Sequence, residues 1–160
     1  ITASAAKLTV TGGLHSSGTI TAAGDVIAYY SDERLKKDKK VIENALDRVS
    51  KMSGYTYRAN HNAELLGITN TDLQIGLMAQ EVEKAMPEAV RVSPIQDKVD
   101  ELGLEGLENV KTVQYDRLVA LLIQSTNELN EKVRVLEDKL QNKHIEFTEV
   151  MRRIEKLENK

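Results

Sequence analysis

A heptad repeat in the last third of the sequence constrains the fold more than any other feature of these 160 residues. Apolar residues recur at alternating intervals of four and three from residue 115 to residue 157, and eleven of the thirteen core positions are apolar if Tyr115 is counted. A 3.5-residue period kept for about six repeats is typical of a left-handed coiled coil. Residues 113–160 are therefore predicted to form one helix that packs against copies of itself. Ten of the apolar positions, which we call the seam, are Val119, Leu122, Leu129, Val133, Leu136, Leu140, Phe147, Val150, Ile154 and Leu157.

Polar and charged positions around the seam indicate how the helices would pair. Thr126 and Lys143 interrupt it, as polar residues do when register and oligomer state are specified at some cost in stability. Neighbouring parallel helices would form two attractive pairs, Lys132 with Glu137 and Arg153 with Glu158. Exposed pairs contribute only about 0.2–1 kcal/mol each, so they favour a parallel arrangement only weakly. The alternative is one amphipathic helix packed on its own domain, although such a helix seldom keeps a 3.5-residue stripe over ~40 residues.

Residues 1–30 repeat with a different period of six residues. Threonine-rich segments with glycine at fixed intervals predict short β-strands stacked along an axis. One apolar residue per turn buries too little surface for a single chain, so we expect a β-helical or β-prism stem built from three chains. The alternative is a flexible linker rich in Gly, Ser, Ala and Thr. The repeating positions are Leu8, Leu14, Ile20 and Val26, and Gly12, Gly18 and Gly24.

Residues 31–112 are predicted to form a small mixed α/β head with protruding arms. Stem, head and terminal helix together predict an α+β fold. Because the stem needs three chains, the expected assembly is a homotrimer that ends in a parallel three-stranded coiled coil. Helical spacing predicts helices within residues 38–52 and 76–90. A β-hairpin arm is expected around residues 55–78, and residues 93–109 are expected to be an irregular arm.

Composition narrows the function classes. The sequence is 41% hydrophobic but only 4% aromatic and has no tryptophan, so we expect a core shared between chains. A formal charge of −3 favours neither nucleic acid nor an anionic membrane as partner. The chain has no cysteine and no run of 18 apolar residues, and we predict no metal, cofactor or membrane span. Because it begins at Ile1 in mid-pattern, we expect it to be the C-terminal piece of a longer chain.

Ser31 lies where an apolar run ending in Tyr30 gives way to a dense set of charges that includes Lys36. A serine becomes a nucleophile beside a base, and a lysine serves as that base once it has lost its proton. An ordinary lysine is neutral in only about one molecule in 2,500 at pH 7. Burial and nearby positive charge raise that fraction, whereas nearby carboxylates lower it. Both signs of charge surround Lys36, so the sequence leaves the balance open.

The spacing of Ser31 and Lys36 limits how the two residues meet. Five residues along a helix leave side chains about 140° apart, and five along a strand place them on opposite faces. A contact therefore requires an irregular turn, or a lysine from a neighbouring chain. In the second case the reaction would begin only after assembly. The alternative role of Ser31 is to cap a helix that begins at Asp32.

Four segments together resemble a known family. "GDVIAYYSDERLKKD", "IGLMAQEVEKAMPEAV", "VQYDRLVALLIQ" and the terminal coiled coil are similar to the self-cleaving intramolecular chaperone domain at the ends of bacteriophage tail spikes, tail fibres and neck appendages, the peptidase S74 family. The family motif Ser-Asp-x-Arg-Leu-Lys is complete here as Ser31, Asp32, Arg34, Leu35 and Lys36.

The resemblance implies a homotrimer that nucleates a β-helical stem and then cuts itself off. Ser31 would be the nucleophile and Lys36 the base of a single-turnover serine endopeptidase, with other copies and the upstream stem of the same chain as partners. It also implies a virion tail or fibre precursor assembled in the host cytoplasm, whose chaperone part is released from the mature fibre. Alternatives are a structural trimerisation domain that does not cleave, and a regulatory version resembling membrane-tethered transcription factors of animals.

Ring size indicates which bond would break. Attack by the Ser31 hydroxyl on its own carbonyl would close a strained four-membered ring. Attack on the carbonyl of Tyr30 closes a five-membered ring and yields an ester that water hydrolyses. Cleavage between Tyr30 and Ser31 is therefore favoured, and cleavage between Ser31 and Asp32 is the alternative if another chain attacks.

Overall fold

The computed structural model describes residues 10–11, 20–26 and 31–159. The chain divides between Lys39 and Lys40 into two units, which are described separately. Most of the predicted stem, including Leu8 and Leu14, lies outside the described residues. Ile20 and Val26 are described, and both are exposed and outside any strand. The stem therefore stays a prediction.

The second unit is mixed helix and strand, which confirms the α+β class. Two antiparallel two-stranded sheets pair β1 with β2, where Tyr55 lies opposite Gly76, and β3 with β4, where Val90 lies opposite Val113. A 3-10 turn, Pro87–Ala89, joins α3 to β3. The elements in order are α1 (Ala45–Ser50), β1 (Gly54–Tyr57), α2 (His61–Leu65), β2 (Gln74–Leu77), α3 (Ala79–Ala85), β3 (Val90–Val92), α4 (Gln96–Leu102), β4 (Lys111–Val113) and α5 (Tyr115–Glu158).

The core of the second unit is small and is completed by the first turns of α5. Leu121 is fully buried and Leu118 nearly so, on a face of α5 that packs with α1, α3 and β3. The seam residues Val119 and Leu122 lie on the same turns but are about half exposed. The start of α5 therefore has two apolar faces, one inside the unit and one open to solvent. The buried cluster is Ala45, Val82, Ala89, Val90, Leu118 and Leu121.

Helix α1 is shorter than the helical spacing of residues 38–52 predicts. Asn44 precedes it with a left-handed φ of 54°, so the helix cannot extend back through this residue. Asn44 makes no side-chain capping bond. Instead, the Glu128 carboxylate of α5 accepts hydrogen bonds from the backbone N–H of Ala45 at 3.0 Å and of Leu46 at 2.9 Å.

The hairpin predicted around residues 55–78 is confirmed as β1 and β2, and the connection between them contains α2. At Gly76 an added Cβ would lie 2.9 Å from the Tyr115 hydroxyl, which also accepts from the Leu77 N–H at 3.0 Å. A side chain at this position would push the hydroxyl away from the strand. The first turn of α5 is thereby attached to the hairpin.

The prediction that residues 93–109 form an irregular arm is wrong in part, because they contain α4. This helix ends at Gly103, whose left-handed φ of 59° is the usual helix-ending conformation of glycine. The Gln96 side chain accepts from the Val110 N–H at 2.7 Å and so holds α4 beside the chain that enters β4.

Helix α5 is continuous over 44 residues. Its seam is exposed in the single chain: Leu136, Leu140 and Leu157 are 63%, 71% and 72% exposed. Among the described residues, no helix is long and apolar enough to span a membrane. A helix that is amphipathic over this length and unpaired on its apolar side is typical of a strand of a coiled coil.

Candidate functional site

A 3-10 turn, Glu33–Leu35, forms the centre of the candidate site. Asp32 precedes it in an extended conformation, and its carboxylate accepts from the Arg34 N–H at 2.9 Å. Lys36 follows, again extended, with φ of −122° and ψ of 132°. The N-cap is therefore Asp32, and the alternative in which Ser31 caps a helix starting at Asp32 is wrong.

The turn brings the two predicted reactive groups together within one chain. The Lys36 Nζ atom donates a hydrogen bond to the Ser31 Oγ atom over 3.4 Å. The irregular turn, one of the two routes that the spacing left open, is thus present within the single chain. Both residues are exposed in the single chain.

Asp32 and Arg34 form a two-pronged ion pair beside this contact. The Arg34 Nη2 atom lies 2.6 Å from Asp32 Oδ2, and its Nε atom lies 3.0 Å from Oδ1. The side-chain bond from Arg34, followed by its backbone bond, holds the pKa of Asp32 below its usual value. The same carboxylate raises the pKa of Arg34 above its usual value. Asp32 is therefore ionised and engaged with Arg34 at neutral pH.

Glu33 has a partner of its own. The Lys39 Nζ atom lies 3.2 Å from Glu33 Oε2, across the outside of the turn. Both acids that precede Lys36 in the motif are thus paired with a cation other than Lys36.

The remaining predicted site residues are less informative. Leu35 lies in the turn with its side chain 65% exposed. Tyr30, on the far side of the favoured cleavage bond, lies outside the described residues. Among the described residues, no group of three or more acidic or histidine side chains is arranged to hold a metal ion.

The two polar residues that interrupt the seam have partners within α5. The Thr126 hydroxyl donates to the Leu122 carbonyl at 2.8 Å, so this hydroxyl needs no partner from another helix. Lys143 bonds to Glu146 at 2.9 Å, and this bond raises the pKa of Lys143. The Thr126 hydroxyl can therefore lie at a helix interface with its proton paired, whereas Lys143 has a partner for only one of its three N–H donors.

Part of the chain, including the turn, matches a known protein family. Residues 31–91 match the Peptidase_S74 family, described as chaperone of endosialidase, which confirms the resemblance inferred from the motifs. This match begins at Ser31 and includes the whole turn.

Individual relatives are tail fibre proteins of bacteriophages. The chain is 36% identical over 129 residues to the long tail fiber protein Gp37 of Enterobacteria phage K3, across 81% of this chain and 9% of that protein. It is 31% identical over 147 residues to the long tail fiber protein Gp37 of Enterobacteria phage M1, across 89% of this chain and 51% of that protein. The match to the protein of Salmonella phage S16 is 32% over 110 residues, or 13% of that protein. The chain thus spans from about a tenth to about half of these relatives.

Sequence reasoning missed two contacts that shape this chain. The Glu33–Lys39 pair spans six residues, a spacing with no regular helical or strand geometry to suggest it. The bonds from Glu128 to the start of α1 join residues more than 80 positions apart. The heptad hinted at the second contact only in that Glu128 lies off the seam, on a face free to meet the rest of the chain.

Proposed function

We propose that this chain is the trimerising chaperone end of a bacteriophage tail fibre, and that it separates from the fibre stem by cutting its own backbone between Tyr30 and Ser31. The family match over residues 31–91 and the tail fibre relatives support the chaperone role. The protein would then be a virion component during assembly. The stem of residues 1–30 would stay with the fibre, and the part from Ser31 onwards would leave.

One observation carries the self-cleaving part of the proposal, namely the hydrogen bond from Lys36 Nζ to Ser31 Oγ inside the family motif. At 3.4 Å the two atoms are near the outer limit of hydrogen bonding, and contacts of this kind shorten in a reacting complex. Lys36 is within reach of the only proton that Ser31 must lose. In the single chain this contact is made without a residue from a neighbouring copy.

The reaction balances with these two side chains and one water. Neutral Lys36 accepts the Ser31 hydroxyl proton as Oγ bonds to the Tyr30 carbonyl carbon. The bond between that carbon and the Ser31 nitrogen then breaks, and the protonated lysine returns a proton to the nitrogen. This leaves an ester between Tyr30 and Ser31 with a free amine. Water hydrolyses the ester, giving a Tyr30 carboxylate and an intact Ser31.

Assembly would turn the reaction on by covering the lysine. In the single chain Lys36 is exposed to water. Packing of neighbouring chains around the turn would remove that water and favour the neutral amine that the reaction needs. Cleavage would then follow trimerisation without any residue crossing between chains.

The chaperone role relies on the exposed seam of α5. Three copies joined through this helix hold their stem segments at an effective concentration of roughly millimolar. This offsets the entropy of bringing distant strands together, which makes non-local β pairing slow. A stem that cannot fold as a single chain would thus start to fold at one end.

A denaturing gel and intact mass measurement of the 160-residue chain after expression test the cleavage. The wild type should separate into residues 1–30 and 31–160. Ser31→Ala and Lys36→Ala should remain whole and trimeric, because neither change removes core volume. Lys36→Arg should also remain whole, since a guanidinium stays protonated. Lys37→Ala, which removes the adjacent lysine, is the matched control and should be cut. Cutting of Ser31→Ala would contradict the proposed nucleophile.

The second candidate is a trimerisation domain that does not cleave. It is favoured by the fact that the seam and the core of the second unit make no use of Ser31. A wild-type protein that forms trimers, and whose chains keep their full mass of 17.9 kDa, would support this candidate over the first.

A further inference from the structure

The charges around Lys36 are divided in a specific way. Asp32 holds Arg34 and Glu33 holds Lys39, while Lys36 bonds to Ser31. Within the described residues, Lys36 forms no ion pair with either carboxylate. The sequence places both acids within four positions of Lys36, so either carboxylate could compete with Ser31 for the Lys36 amino group.

Such a competitor would matter in two ways. A carboxylate bound to Lys36 would take the amino group away from Ser31. It would also stabilise the protonated form, which has no lone pair to accept the serine proton. A cation bound to each acid removes both effects. The positive charge of that cation also disfavours protonation of the Lys36 amino group.

We propose that Arg34 and Lys39 are positioning residues that keep Asp32 and Glu33 occupied, so that the amino group of Lys36 is left to Ser31. The effect of these two cations on cutting rests on the proposed function. The pairing of the charges is independent of that function, because the protonation of Lys36 is measurable in a chain that cannot cut.

Arg34 could instead matter only because it shapes the turn. The two roles are separable, because Asp32→Asn keeps an N-cap side chain that accepts from the backbone N–H of residue 34 and removes only the charge. The other charged groups in the described part of this unit are Asp25, Lys37 and Asp38, and the next residue is Lys40. Every variant below keeps all four, so their effect cancels in each comparison.

The first experiment follows the NMR signal of the Lys36 side chain against pH in the full Ser31→Ala chain. Adding Arg34→Gln frees Asp32 and should move the titration midpoint upward by roughly 0.5 pH unit at low ionic strength, and by less at 1 M salt. Adding both Arg34→Gln and Asp32→Asn should return the midpoint to that of Ser31→Ala alone. The same pattern is expected for Lys39→Gln and its partner change Glu33→Gln.

The results of this experiment decide the inference. An unchanged midpoint in both single variants would overturn it. So would a shifted midpoint that persists when the freed acid is also neutralised, because Arg34 or Lys39 would then act by shaping the turn.

The second experiment measures cutting in chains that keep Ser31. The pH at which cutting reaches half its maximal rate should rise by the same ~0.5 unit in Arg34→Gln and return in the double variant. A wild type that does not cut would contradict the proposed function, while the NMR result would still stand or fall on its own. If the wild type cuts but the pH profiles of the single variants match its own, the proposed role of Arg34 and Lys39 is overturned and the proposed function is not.

Discussion

At the scale of single residues, the identity of the N-cap decides what the serine can do. A capping serine would use its oxygen to accept a backbone N–H. Here Asp32 accepts the Arg34 N–H, so the Ser31 oxygen accepts from Lys36 instead. A single carboxylate placed one residue after the serine thus winds the turn and leaves the hydroxyl available.

Mixing variants tests whether the reactive pair belongs to one chain. Ser31→Ala and Lys36→Ala chains, unfolded together and refolded into mixed trimers, should remain uncut, because each chain lacks half of its own pair. The control is a wild-type chain recovered unfolded before it cuts and refolded with Ser31→Ala, which should be cut in proportion to its share. Cutting of Lys36→Ala chains in the mixture, read by intact mass, would show that a lysine reaches in from a neighbour.

At the scale of elements, Glu128 joins α5 to α1. Its carboxylate accepts the first two N–H groups of α1, and these bonds from Leu46 and Ala45 lower the pKa of Glu128. A carboxylate whose pKa is lowered by folding stabilises the fold above its usual pKa of 4.5. That stabilisation is lost as pH falls through the lowered value.

Glu128→Gln should lower the thermal midpoint at pH 7 by on the order of 5 °C, because the negative charge that accepts from the first N–H groups of α1 is lost. The gap between variant and wild type should begin to narrow below pH 4.5, where the carboxylate of the unfolded wild type takes up a proton, and should close as pH falls through the lower pKa of the folded state. Glu131→Gln on the same helix, whose nearest cation is Arg134 at 3.7 Å, is the control and should change little. Melting is followed by circular dichroism at fixed chain concentration, since assembly makes the midpoint depend on it. A constant gap down to pH 3 would contradict the role of the charge.

At the scale of the whole molecule, the chain exposes more apolar surface than a stable monomer would. In the part of the chain that the structure describes, eight apolar residues are buried, whereas all ten seam residues are exposed. Three copies in parallel would cover this surface, and the Thr126 hydroxyl already has a partner within its own helix.

Light scattering of the intact or uncut chain should give three times the chain mass. Replacing Leu129 and Leu136 together with Asp should abolish the trimer and leave the stem insoluble, because two charged layers would have to be buried. Val135→Asp is the matched control, since Val135 is exposed on α5 but lies off the seam. A soluble, trimeric stem in the double variant would show that the coiled coil is dispensable.

What the sequence could predict depends on how far apart the cooperating residues are. The α5 helix and the hairpin follow from local periods, and the family follows from a motif of six consecutive residues. The start of α1 at Ala45 could not be predicted from the sequence, because it depends on the left-handed conformation of Asn44 and on Glu128 far along the chain. Helix α4 was missed because it buries only Val99, so it has little apolar period, although Gly103 marked its end. The spacing of Ser31 and Lys36 left two routes open. The contact within one chain depends on the turn that Asp32 caps, and the number of residues between Ser31 and Lys36 does not reveal this cap.

The dependence of α1 on α5 also sets an order in time during synthesis. Ala45 leaves the ribosome 83 residues before the Glu128 that caps it, and its other core partners Leu118 and Leu121 are also made late. The second unit therefore cannot complete its core before the first turns of α5 have been made. The same late segment carries the exposed seam. In the proposed trimer, the helix that completes the core of each chain would thus also join the copies, so a chain would not pair before its core residues had been made.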